Sequence, residues 1–205
     1  MRFFREERAR QVVSNPIIRL TPENITQVDG WTQQQRDKMK AKRQAEGKET
    51  PEYQVDIIER NKDRDGHRAE YAVSVYLGIP FDTFSMLKGH GHHIDHEVFN
   101  IYGDLLGCDT KSMLWGTRTW GIRKAWRRYE RKLKADYYIC SQSFNEDNTE
   151  FLIVGYLSAK EIMELMGGLI TVSPDIHFGG SWYNIPLSIL HPIENIRNEQ
   201  PLARL

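Results

Sequence analysis

The apolar residues change their spacing several times along the chain, and each change marks an element. From Gln54 to Leu77, Val55, Ile58, Ala69, Val73, Tyr76 and Leu77 fall three or four apart, the spacing of one helix face, and Gly78-Ile79-Pro80 ends it. Gly66 marks a point where this stretch divides into two helices. Between His90 and Lys111 the texture turns to short β-like runs, Glu97 to Tyr102 and Cys108 to Met113, with a glycine-containing turn between them, which predicts a hairpin. Residues 118–134 interleave cations with aromatics at the spacing of an amphipathic helix. Ala135 to Cys140 and Phe151 to Tyr156 read as strands, the second followed by a helix from Ser158 to Met166, and Ser181 to Ile193 reads as a last strand with prolines at its ends. Before all of these, Asn15-Pro16, Thr21-Pro22-Glu23 and the Gly47 to Pro51 stretch punctuate a region in which Gln33 to Glu46 is almost entirely polar. A helix polar all round is solvated or serves as an arm. The pattern therefore divides the chain into an accessory segment, 1–52, and an α/β domain, 53–205, with a mixed central sheet flanked by helices.

Composition narrows the class. With 205 residues, 40% of them apolar, the chain can bury one sizeable core. It carries 28 basic and 28 acidic side chains, so partners must be read from local charge. No apolar run approaches the ~18 residues of a membrane span. The start, Met1-Arg2-Phe3-Phe4-Arg5-Glu6-Glu7-Arg8, breaks its apolar residues with charges, so no signal peptide is expected and a soluble, cytoplasmic protein is. Two cysteines, Cys108 and Cys140, are too few for a disulfide framework and fit a reducing compartment.

The chemistry concentrates in Tyr102-Gly103-Asp104-Leu105-Leu106-Gly107-Cys108-Asp109-Thr110-Lys111. Asp109 and Lys111, two apart on a strand, share a face, while Thr110 points the other way. A four-residue loop over Leu105 to Cys108 would set Asp104 directly across from Asp109, with Cβ atoms ~4.5–5.5 Å apart. Carboxylates that close repel unless a cation or a proton lies between them, and oxygen ligands at that separation suit Mg²⁺ or Mn²⁺. On spacing alone the same residues also suit the solvated charges of a surface hairpin. Upstream, Glu70 has Val73 and Leu77 at i+3 and i+7, placing a carboxylate at the edge of the stripe that faces the sheet. Downstream, residues 111–134 hold nine basic side chains against Glu130, a net +8 that leaves −8 for the rest of the chain. Within that segment Arg118, Arg123, Lys124, Arg127 and Arg128 are the candidate contacts to a phosphate backbone.

Gly66-His67-Arg68-Ala69-Glu70-Tyr71-Ala72-Val73 on a helix, a hairpin ending Gly103-Asp104…Asp109-Thr110-Lys111, and the Lys134-Ala135-Asp136-Tyr137-Tyr138-Ile139 strand together resemble the PD-(D/E)XK nuclease superfamily. Residues 151–162 and 182–186 are similar to the closing strands of its small phage-type members. The resemblance, over residues 54–195, implies a restriction-endonuclease-like core and a divalent-metal-dependent endonuclease or exonuclease acting on DNA, with Mg²⁺ or Mn²⁺ as cofactor. By position it implies Glu70 as the helical glutamate, Asp104 as the hairpin aspartate, and Asp109 and Lys111 as the signature pair, with Asp104 and Asp109 holding the metal. It further implies a cytoplasmic protein, in the host cytoplasm where phage-encoded, and leaves a homodimer open. No proline precedes Asp104 and only four residues separate it from Asp109, so Asp95 and Glu97 stay open as holders of the first acidic role.

His90, His92, His93 and His96 stand within seven residues of one another, beside Asp95 and among glycines. Their density admits a zinc-binding regulatory module, although the glycines argue against the helix that would align His92 with His96. A non-catalytic DNA-binding or assembly protein built on the same basic segment is the other competing class.

Overall fold

The computed structural model describes residues 15–48, 61–81, 94–113, 119–123, 135–166, 171–175 and 180–201. At its centre lie β5 (Tyr137–Ser143) and β6 (Glu150–Ser158), whose residues are almost all buried. A strand covered on both faces needs apolar residues of both parities. Along β5, Tyr137 and Ile139 enter one core while Tyr138 and Cys140 enter the other. Parallel to β5 runs β3 (Leu105–Met113), with Asp109 beside Tyr138 and Lys111 beside Cys140. The edges are β2 (His96–Phe99), antiparallel to β3, and β1 (Ile17–Arg19), antiparallel to β6, giving a five-stranded mixed sheet of order β1-β6-β5-β3-β2.

One face is covered by α2 (Lys62–Leu77), whose Ala69, Ala72, Val73 and Leu77 pack on Val98, Leu106, Cys108 and Ile139. Gly66 lies inside this helix, which ends at Gly78 in the left-handed region at φ +66°. The other face takes α3 (Ala159–Met166) through Ile162, together with Trp120 and Ile185 of a second sheet. That sheet is β4 (Thr119–Arg123), β8 (Gly180–Pro186) and β7 (Thr171–Asp175), in the order β4-β8-β7. Residues 119–123 are thus a strand and not the start of the expected basic helix. Tertiary pairing decides it: Trp120, fully buried, stands opposite Ile185, and the β-favouring Thr119, Trp120 and Ile122 suit a ladder better than a helix. The expected last strand also stops early, at Pro186, and 3-10 turns follow at Leu187–Ile189 and Ile193–Asn198. Pro186 and Pro192 lack the N–H that a continuing ladder would need.

The region before the main domain shares in the sheet through β1. Its helix α1 (Pro22–Ala45) opens with a capping box, in which Thr21 Oγ1 accepts from Asn24 N–H and Asn24 Oδ1 accepts from Thr21 N–H. Only Val28, Thr32 and Gln35 of α1 are buried. Polar links fasten it to α2: Arg68 forks onto Asp29 at 2.6 and 2.8 Å, and Thr32 Oγ1 meets His67 Nδ1 at 2.9 Å.

Candidate active site

Hairpin register decides which carboxylates meet. Pairing runs from His96 opposite Cys108 to Phe99 opposite Leu105, so the loop is 100–104 and not the expected 105–108. Asn100 builds that loop: its Oδ1 accepts from the backbone N–H groups of Tyr102 at 2.9 Å and Asp104 at 2.7 Å, and Gly103 takes φ +87°. Asp104 therefore sits exposed in the turn, its carboxylate accepting from Asn100 Nδ2 at 3.2 Å, and does not face Asp109. Glu97, opposite Gly107, is exposed as well.

The residue that reaches Asp109 is Asp95, one step beyond the His96–Cys108 pair. Its N–H donates to the Cys108 carbonyl at 2.9 Å, and its Oδ2 accepts from Thr110 N–H at 2.7 Å. Lys111 Nζ donates to Asp109 Oδ1 at 2.6 Å. Asp109 keeps only 3% of its side chain exposed, whereas Lys111 keeps 31%.

Glu70 arrives from α2. On that helix Ser74 Oγ lies 3.3 Å from His96 Nδ1, under the first residue of β2. Glu70 is one turn earlier on the same face, past the point where the short edge strand stops and β3 runs on. There its carboxyl lies within the fields of the Asp95, Lys111 and Asp109 charges. His96, from the expected metal cluster, has its other nitrogen 2.8 Å from Thr110 Oγ1. With both ring nitrogens engaged by hydroxyls, it is a positioning residue for β2 and not an available ligand. His90, His92 and His93 lie outside the described residues.

The electrostatics follow from this crowding. Burial raises the Glu70 pKa well above the usual carboxylate range, and the Asp95 and Asp109 charges push it further, against the pull of Lys111. Burial, the Asp109 charge and a hydrogen bond with Asp109 push Asp95 up to about 7. Burial holds His96 down at about 4, so it is neutral at neutral pH. Burial alone would lower the Lys111 pKa; Asp109, Asp95 and Glu70 together outweigh it and raise the value. Fully ionised, three carboxylates and one ammonium carry a net charge of −2. Hard oxygen donors with that deficit fit a hard dication. Among the described residues no group of three or more His, Cys, Asp and Glu side chains stands arranged to hold a metal ion. Among the described residues, the Lys111 ammonium supplies a counter-charge to Asp109.

Of the expected phosphate contacts, Arg123 closes β4 opposite Trp182, and Arg118, Lys124, Arg127 and Arg128 lie outside the described residues. Sequence reasoning missed the Ser74, His96 and Thr110 support. Its signal was the parity of β3, which turns Thr110 away from Asp109 and Lys111 toward α2. Comparison with family models, with curated proteins and with solved structures finds no match to this chain.

Proposed function

We propose that the protein is a divalent-metal-dependent deoxyribonuclease with a restriction-endonuclease-like core, and that Glu70, Asp95, Asp109 and Lys111 form its catalytic centre. The observation that carries this reading is the convergence of those side chains at the open end of β3, three carboxylates around one lysine with two negative charges in excess. Burial and the Asp109 charge raise the proton affinity of both Glu70 and Asp95, a perturbation that clusters at functional sites and that a bound cation would relieve.

Asp95 and Asp109 would hold the cation, with Glu70 completing its surroundings. The ion, when bound, supplies Lewis-acid polarisation of a phosphate oxygen and acidifies water. Lys111, oriented by Asp109, places its ammonium against the charge that grows on the phosphoryl oxygens. Glu70, whose proton affinity burial raises, would in its ionised form accept the proton released by the attacking water. The Ser74–His96–Thr110 chain fixes the end of β2, and with it the Asp95 backbone.

Incubating the protein with Mg²⁺ and linear or circular duplex DNA tests the reading. Hydrolysis should depend on the ion, and Lys111→Ala should lower it about 10²–10³-fold, the usual loss when one stabiliser of transition-state charge is removed. Asp109→Ala should behave alike. Full activity in either variant, with the fold verified by circular dichroism, would contradict the assignment. Binding without cleavage under Mg²⁺ and Mn²⁺ would favour a non-catalytic DNA-binding protein.

A further inference from the structure

Among the described residues, the second half of α1 buries no side chain beyond Gln35. Beyond Arg36, whose guanidinium pairs with Asp63 beside the first residue of α2, the helix continues to Ala45 with Lys38, Lys40 and Lys42 exposed. The two helices run antiparallel, since Asn24 meets Tyr71, Asp29 meets Arg68, Thr32 meets His67 and Arg36 meets Asp63. Residues 37–48 hold Lys38, Lys40, Lys42, Arg43 and Lys48 against Asp37 and Glu46, a net +3 in a chain of zero net charge. Lys38 and Lys42 sit at i and i+4, a like-charge spacing that weakens an isolated helix. Exposed cations at that spacing would gain from a polyanion alongside them.

Its position matches the site. The Leu77 end of α2 adjoins the hairpin tip through Arg197, which donates to the Leu77 carbonyl at 2.7 Å and accepts from Ile101 N–H at 2.8 Å. Glu70 lies at the middle of α2, about two turns from that end, and the lysines of α1 lie further in that same direction. At 1.5 Å per residue they stand about 14–20 Å beyond Glu70 along the helix pair. That distance is about five base-pair steps of a duplex whose scissile phosphate meets Lys111.

We infer that residues 37–48 form an arm that grips the phosphate backbone of duplex DNA flanking the cleaved bond. The inference rests on the nuclease reading for the identity of the polyanion and deepens it by naming the substrate as duplex. The test is the triple variant Lys38→Gln/Lys40→Gln/Lys42→Gln, which keeps good helix formers at exposed positions, so its circular dichroism should match the wild type. DNA affinity of both proteins is measured in Ca²⁺ against salt, on a duplex of about 30 base pairs, and cleavage at saturating DNA is measured in Mg²⁺. The variant should bind about tenfold more weakly and lose about two to three units of salt slope, with cleavage at saturation unchanged. A wild type that cleaves DNA while the variant keeps the full salt slope overturns the arm and leaves the nuclease reading standing. An arm-dependent slope without cleavage supports the arm and overturns the nuclease reading. Arm-dependent binding confined to RNA overturns the DNA assignment.

Discussion

Asp95 and His96 are adjacent residues whose burial has opposite consequences. Burial and Asp109 raise the Asp95 pKa from 3.8 to about 7, whereas burial lowers that of His96 from 6.5 to about 4. A carboxyl whose pKa is raised in the folded state stabilises fully below its unfolded value of 3.8 and loses that contribution as pH rises through 7. A histidine whose pKa is depressed contributes fully above 6.5 and loses it as pH falls through 4. The two trends oppose one another across the same window. In the metal-free protein Asp95→Asn should therefore raise Tm at pH 8 by several degrees, with the gain vanishing near pH 4; a gain equal at both pH values would mean that the carboxyl's charge is not its cause. Glu70, Asp109 and Lys111 were legible in the sequence because side-chain parity and helix spacing bring them to one place whatever the loops do. Asp104 was chosen over Asp95 because the choice depends on register, and register depends on Asn100, whose side chain builds the turn without leaving a hydrophobic signal.

Among the elements, two glycines in regular structure make opposite predictions. Gly155 in β6 has φ +153°, and a Cβ there would lie 2.4 Å from the His191 carbonyl oxygen, beside the Tyr156–His191 pair that ties the C-terminal turns to the sheet. Gly155→Ala should cost about 2–3 kcal/mol, a fall in Tm of roughly 5–10 °C. Gly66, inside α2 with open space around it, should behave otherwise: Gly66→Ala should gain about 0.5–1 kcal/mol and leave activity unchanged. Thermal unfolding of the two variants checks both signs, and stabilisation by the Gly155 change would mean that β6 and the tail are not so closely apposed. The α/β order, β5, β6 and α3 were readable as local patterns. Not readable were β1, three residues long, and β4, whose aromatics and cations also suit a helix face until Ile185 pairs with Trp120.

For the whole molecule, zero net charge hides a segregation: residues 111–134 carry +8, and the Glu70, Asp95 and Asp109 carboxylates belong to the negative remainder. No helix among the described residues is long and apolar enough to cross a membrane. Cations gathered in one segment should make DNA affinity fall steeply with salt despite the neutral total. Replacing two of Arg123, Lys124, Arg127 and Arg128 should reduce the salt slope by about two units, equally for unrelated sequences; an unchanged slope would remove this segment from the interface. On the proposed reading, Asp95, Asp109 and Glu70 surround a cation that Asp104 does not touch. Calorimetric titration of Mg²⁺ into the wild type and into Asp95→Asn and Asp104→Asn tests it most directly. The account predicts binding to the wild type and to Asp104→Asn with similar affinity and a loss of about tenfold or more in Asp95→Asn. Equal binding by all three proteins, or a greater loss in Asp104→Asn, would contradict it.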